Sequence, residues 1–276
     1  MRTHSFILII CLLLAGCSHK STSSHITEEN YLKADSALWM EYEKICDSLS
    51  VVAESASPEE LENIEIEAEE ILQTTLQRNA ELALEYAATP SGLNRLYMVR
   101  SDVSKEQISE ALQSIPDSMR TSEYGKLLQL HLDTKQLGEG DKFQTFACTT
   151  IEGENFDWEK LADKEILLLY GGLGCMGRSG RNYLSQLHNQ HPELEIVIYY
   201  TVTNLEQLQS DYAAWRERGV DFDYWAISDF KADASPIRII YGTQATPTCF
   251  LISRDGTILV QSEGLNPDRF EKELNR

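Results

Sequence analysis

Apolar positions fall into two regimes along the chain. From residue 27 to about 135 they recur every three or four positions: Tyr31, Leu32, Leu38, Met40, Tyr42, Ile45 and Leu49 lead the series. That spacing is the signature of helices that bury one stripe. Ser57-Pro58-Glu59-Glu60 supplies a cap, a proline at the first helical position and a glutamate at the third, a strong helix start. The helix it opens carries Leu61, Ile64, Ile71, Leu72, Leu76 and Leu82. Ser104-Lys105-Glu106-Gln107 opens another bearing Ile108 and Leu112, which Pro116 ends. A last one holds Tyr124, Leu127, Leu128, Leu130 and Leu132.

After Gly140 the period changes. Phe143 to Thr150 and Asn155-Phe156-Asp157 flank a Glu152-Gly153 turn and read as a hairpin. Glu165 to Tyr170 is a continuous apolar run of strand length, and Leu194 to Val202 a second. Between them lie a glycine-rich turn and a helix to about Gln190. Leu205 to Arg218 is an amphipathic helix and Pro236 to Tyr241 a short one. Thr248 to Ser253, the Arg254-Asp255-Gly256 turn and Ile258 to Gln261 form a second hairpin, and Pro267 to Leu274 a closing helix. Strands alternating with helices predict an α/β domain with a central mixed sheet. The expected division is a helical domain over 27–137 and the α/β domain over 138–276, joined at Leu137-Gly138-Glu139-Gly140-Asp141.

The N-terminus belongs to neither. A short basic start at Arg2, an apolar run from Phe6 to Ala15 and Leu14-Ala15-Gly16-Cys17 have the form of a secretory signal over 1–16. The run is short of the about 20 residues a membrane-crossing helix needs. A cysteine directly after Leu-Ala-Gly resembles the bacterial lipobox, which implies acylation of Cys17 and an anchor on the membrane, most simply the outer membrane facing the periplasm. Residues 17–26 then read as a tether. The formal charge of −20 argues against nucleic acid and anionic lipid headgroups as partners.

Four cysteines remain beyond Cys11 and Cys17: Cys46, Cys148, Cys175 and Cys249. None stands in a CxxC pair, and the ligand spacing of structural zinc is missing. The stretch with chemical content is Gly171-Gly172-Leu173-Gly174-Cys175-Met176-Gly177-Arg178-Ser179-Gly180-Arg181, between a strand and a helix. Three readings fit it. A cysteine at a helix start, with Arg178 and Arg181 nearby, suits an activated thiolate. Cys175 and Arg181 also match Cys-x5-Arg, a spacing at which a loop can wrap one phosphate. Gly172 to Gly177 matches GxGxxG, although the next strand ends without the acidic residue a dinucleotide ribose needs. His188 and His191 are expected to face solvent, and Trp215, Tyr224 and Trp225 to serve packing.

Thr246-Pro247-Thr248-Cys249, running into Arg254-Asp255-Gly256, resembles the cis-proline strand of thioredoxin folds. With the Gly140-Asp141-Lys142-Phe143 opening, residues 139–276 resemble the TlpA/ResA-like thioredoxin family of bacterial envelopes (the AhpC/TSA/thioredoxin-like domain). The resemblance implies Cys175 as nucleophile and Thr246 with Pro247 as the opposite lip, where substrate binds. It departs at three places. Gly174 stands where the family has Trp, Arg178 where it has the second Cys, and Arg181 where some members have an acid. This CxxR site can only do monothiol chemistry, with release by an outside thiol or by Cys249, two residues past Pro247 on the same strand face. A plain core use of Cys249 remains open. The expected function is a lipid-anchored thiol–disulfide oxidoreductase acting on envelope protein disulfides. No cofactor or metal is implied. The alternative is a non-catalytic binding module that takes a partner protein through the helical half.

Overall fold

The computed structural model describes residues 25–276. The expected signal over 1–16, Cys17 and most of the expected tether lie outside the described residues.

Helices α1 (Glu28–Ala53) and α2 (Pro58–Glu85) form an antiparallel pair. Ser57 caps α2 in a complete capping box with Glu60. Two orphan N–H groups are thereby satisfied, and the negative end of Glu60 meets the positive end of the helix. Helices α3 (Pro90–Met98), α4 (Lys105–Ser114), α5 (Asp117–Arg120) and α6 (Glu123–Asp133) follow. They close a core of Ala83, Leu93, Leu96, Tyr97, Ile108, Leu112 and Leu128. Helix α3 escapes the sequence pattern because Thr89-Pro90 caps it and Gly92 and Asn94 interrupt its apolar spacing.

The sheet that follows contains β1 (Thr149–Thr150), β2 (Ile166–Tyr170), β3 (Glu195–Tyr199), β4 (Trp225–Ser228), β5 (Thr248–Ile252) and β6 (Ile258–Glu263). Their order is β1-β4-β3-β2-β5-β6. Strands β2, β3 and β4 run parallel, and β1, β5 and β6 run against their neighbours. The connections β2–α7–β3 and β3–α8–β4 are crossovers through α7 (Arg178–Gln190) and α8 (Leu205–Glu217). Helices α9 (Ile237–Ile240) and α10 (Pro267–Leu274) complete the order. The expected hairpin near residue 150 is reduced to one bridge, Thr149 to Asn155, because Thr149 and Thr150 instead pair with β4.

All five residues of β2 are buried, as expected for a strand covered on both faces. Alternation divides them. Leu167 and Leu169 join Leu184 and Leu187 of α7, Leu208 of α8 and Phe270 of α10. Ile166, Leu168 and Tyr170 join Tyr199, Phe250, Ile237 of α9 and Tyr241 on the other face. Fully burying each such aliphatic side chain contributes about 1.5–3 kcal/mol.

The helical half meets this second face. Ile239 of α9 sits in the helical core. Arg100, just past α3 and 1% exposed, donates to the carbonyls of Tyr97 (3.0 Å), Arg238 (2.8 Å) and Thr243 (3.0 Å). The Tyr97 hydroxyl donates to Asp233 O at 2.8 Å. The loop that leads into β5 is therefore gripped from the helical side.

A candidate thiol site between β2 and α7

Strand β2 ends at Tyr170 against the end of β3. Gly171 and Gly172 both donate their N–H to Tyr199 O, at 2.9 and 3.0 Å. Their φ values of +115° and +76° lie where side chains are disfavoured. The chain then makes a single 3₁₀ turn, Leu173–Cys175. Leu173 and Met176 are buried and pin the turn on both sides, while Cys175 between them is exposed. Its Sγ donates to Gly171 O at 3.0 Å.

The expectation that Cys175 starts the helix is corrected here. Met176 is extended at φ −112°, ψ 140° and Gly177 is the cap, so α7 begins only at Arg178. The sulfur belongs to the loop that feeds the helix.

Thr246 and Pro247 lie across this loop. Their peptide bond is cis, Thr246 is exposed and Pro247 is half-buried. A Cβ on Gly171 would stand 2.7 Å from Thr246 Cβ and 2.8 Å from its Cγ2. No side chain but hydrogen fits there. Glycine thus lets the Thr246 side chain settle over the residue whose carbonyl touches the Cys175 sulfur. Residues 71 positions apart in sequence are brought to one surface through Gly171.

The arginines divide the work. Arg181 sends Nη1 to the carbonyls of Leu173, at 3.4 Å, and of Met176, which straddle Cys175. Its guanidinium also stands 4.6 Å from the Trp215 ring centroid. A phosphate loop would need that guanidinium turned to an anion on the sulfur, so the Cys-x5-Arg arrangement is not formed. Arg178 is exposed on the first turn of α7. Both line a cleft of about 520 Å³ with Trp215 and Arg218. Trp215 also lies 3.8 Å from where a Gly174 Cβ would be, so its ring flanks the loop at the place where Gly174 lacks a side chain. Arg218 was not singled out from the sequence, and Trp215 was read as packing. Their only sequence signal is a tryptophan and an arginine three apart at the end of α8, the spacing that puts two side chains on one helix face.

Cys249 occupies a different environment. It pairs with Leu169 of β2 and Ser262 of β6, is 0% exposed, and belongs to the core that packs on α7. Burial pushes its thiol up to about 12. A resolving role is corrected to a core one, since a buried neutral thiol is neither reachable nor nucleophilic. The thiol of Cys148 is likewise raised to about 12 by burial. All four described cysteines are free thiols.

The remaining candidates take structural positions. His188 is half-buried with its ring centroid 6.3 Å from that of Phe222, and His191 is partly buried near Glu193; neither faces solvent as expected. Tyr224 packs against the core under α7, and the Trp225 indole donates to Glu195 at 2.8 Å. Antiparallel β5 flanks β2 with β6 beyond it, and β3 ends in Tyr199 without a carboxylate, so no dinucleotide fold forms around the glycines. Among the described residues no group of three or more His, Cys, Asp or Glu side chains is arranged to hold a metal ion.

The element order and the parallel β2–β3–β4 core with antiparallel β5–β6 give the C-terminal half a thioredoxin fold. No protein-family model matches the chain, and no curated protein matches it. Solved structures do. A thiol-disulfide oxidoreductase from Bacteroides fragilis aligns at 17% identity over 49% of this chain and 98% of its own, with a TM-score of 0.42. The thioredoxin domain of a thiol-disulfide oxidoreductase from Bacteroides vulgatus aligns at 17% over 51% and 97%, also at 0.42. A thiol peroxidase from Chromobacterium violaceum aligns at 14% over 51% and 88%, again at 0.42.

Proposed function

We propose that this protein exchanges thiols and disulfides through Cys175 alone. One observation carries the reading: a free, exposed sulfur in the loop after β2, sharing a surface with an exposed Thr246 ahead of Pro247. Cys175 gives its proton to solvent and attacks one sulfur of a substrate disulfide. An S–S bond forms to Cys175 as the substrate S–S bond breaks, and one substrate thiolate leaves. A second thiolate then attacks the substrate sulfur of that mixed disulfide, forming a new disulfide with the substrate half and releasing Cys175 as thiolate. Oxidation and reduction balance between the two thiol partners, and the protein ends as it began.

In this reading Arg181 is a positioning residue that holds the carbonyls on either side of Cys175. Thr246 and Pro247 form the lip against which a substrate backbone lies. The signal-like start and the Leu14-Ala15-Gly16-Cys17 sequence support an exchange at a membrane surface of the envelope, with substrates among envelope protein thiols and disulfides. Among the described residues no helix is long and apolar enough to cross a membrane; the lipobox-like sequence makes Cys17 the proposed attachment. Labelling cells with a radioactive fatty acid should mark the wild type and not Cys17→Ser.

The exchange itself is tested by incubating reduced protein with scrambled ribonuclease and with envelope extract. Wild type should form mixed disulfides that a reductant reverses, and Cys175→Ser should form none. Equal trapping by the two proteins ends the reading and leaves a non-catalytic binding module.

A further inference from the structure

Most described arginines of this acidic chain pair with a carboxylate. Among the described residues, each one outside the thiol site either pairs with a carboxylate or, for Arg100, is buried against carbonyls. Arg178, Arg181 and Arg218 are the exceptions. All three line one cleft, and no described carboxylate lies within 4.0 Å of any of them. Asp221 lines it too, but its carboxylate accepts from Ser185 Oγ at 3.2 Å. With 44 acidic against 24 basic residues in the chain, three unneutralised guanidinium groups in one place are a specific feature.

The cleft is also built. Trp215 carries Arg181 at 4.6 Å and Arg218 at 4.7 Å from its ring centroid. Stacking orients a guanidinium while leaving its edge free for hydrogen bonds. The volume of about 520 Å³ falls in the range of small-molecule sites. Its wall reaches the nucleophile, since Trp215 flanks Gly174 and Arg181 bonds the Met176 carbonyl, the two residues adjoining Cys175.

We infer that this cleft binds the carboxylate of a small anionic thiol or disulfide and so presents its sulfur to Cys175. The inference rests on the exchange reading above and names its small-molecule partner. It also supplies what the fold withholds. With Cys249 sealed in the sheet, the thiol that attacks the mixed disulfide must come from outside. Guanidinium groups suit a planar carboxylate, which they can bind with two parallel hydrogen bonds. In the second step the bound thiolate attacks the substrate sulfur of the mixed disulfide, a new S–S bond joins the two partners, and Cys175 leaves as thiolate.

Three disulfides of similar size and different charge test this: 3,3′-dithiodipropionate, bis(2-hydroxyethyl) disulfide and cystamine. The rate of Cys175 adduct formation, followed by intact mass, should be at least about tenfold higher for the anionic than for the cationic probe at low salt. The ratio should fall at least about threefold in Arg218→Ala and in 0.5 M NaCl. Arg254→Ala, at the opposite end of the sheet beside Glu165, should leave it unchanged. A wild-type ratio near one, or a ratio untouched by Arg218→Ala, overturns the inference. If no probe modifies Cys175, the exchange reading fails instead. The cleft is then read with adipate and the Trp215 indole N–H resonance in Cys175→Ser protein. A saturable shift that Arg218→Ala abolishes retains the anion site, and no shift removes it.

Discussion

The two faces of the sheet use arginine in opposite ways. On the face toward the helical half, Arg100 and Arg238 are 1% and 3% exposed. Arg100 spends its donors on the carbonyls of Tyr97, Arg238 and Thr243, and Arg238 pairs with Asp233 at 2.7 Å. On the face covered by α7 and α8, Arg178, Arg181 and Arg218 edge an open cleft with no described carboxylate within 4.0 Å of them. The first pair ties two parts of the chain together. Arg178 and Arg218 keep hydrogen-bonding capacity in reserve beside a free thiol, while Arg181 spends Nη1 on the carbonyls of Leu173 and Met176. The residue type is the same, and what separates the two uses is whether the surrounding backbone already occupies the donors.

The contrast breaks most readily at Arg100. Arg100→Ala strips partners from three buried carbonyls and should cost about 2–4 kcal/mol. Arg218→Ala should stay within about 0.5 kcal/mol. Urea unfolding of the two variants reads the difference, and equal losses would erase the distinction between a clamp and a cleft. Gly171→Ala should follow at about 1–3 kcal/mol, because it combines a φ of +115° with a collision against Thr246. It should also slow Cys175 adduct formation, since the loop must shift to clear the new methyl group.

Cys249→Ala sharpens the comparison between thiols. It should cost about 1–2 kcal/mol through the cavity left in the sheet and leave mixed-disulfide formation intact. Loss of exchange in that variant would return Cys249 to the chemistry.

A pH dependence is expected on the helical side. Burial, with repulsion from Arg100 and Lys105, lowers His131 to about 4, against about 6.5 in an unfolded chain. The folded state thus refuses a proton that the unfolded state accepts. Stability should decline as pH falls from about 6.5 toward 4 and stay flat above that window. Urea midpoints at pH 7 and pH 5 should differ more for wild type than for His131→Gln.

Much of this molecule was legible in the chain, for reasons that can be stated. Five consecutive large apolar residues at 166–170 and a proline at the head of a strand leave few alternatives in an alternating α/β pattern. Strand β4 was hidden because Trp225–Ser228 is only four residues long and its outer neighbour β1 only two. The position of Cys175 was legible to within a turn of helix. Its displacement from α7 was not, because that depends on Met176 adopting an extended conformation. The buried role of Arg100 and the cleft role of Arg218 were both illegible. Each depends on a partner more than 30 residues away, and nothing local separates a clamped arginine from a free one.

Everything functional here depends on Cys175 being the reachable sulfur and Cys249 the sealed one. Peptide mapping after a brief pulse of iodoacetamide on reduced, folded protein measures this directly. The account predicts that label accumulates at Cys175 while Cys148 and Cys249 stay unmodified until urea is added. Label appearing on Cys249 ahead of Cys175, or a Cys175–Cys249 disulfide in protein purified without reductant, would contradict it.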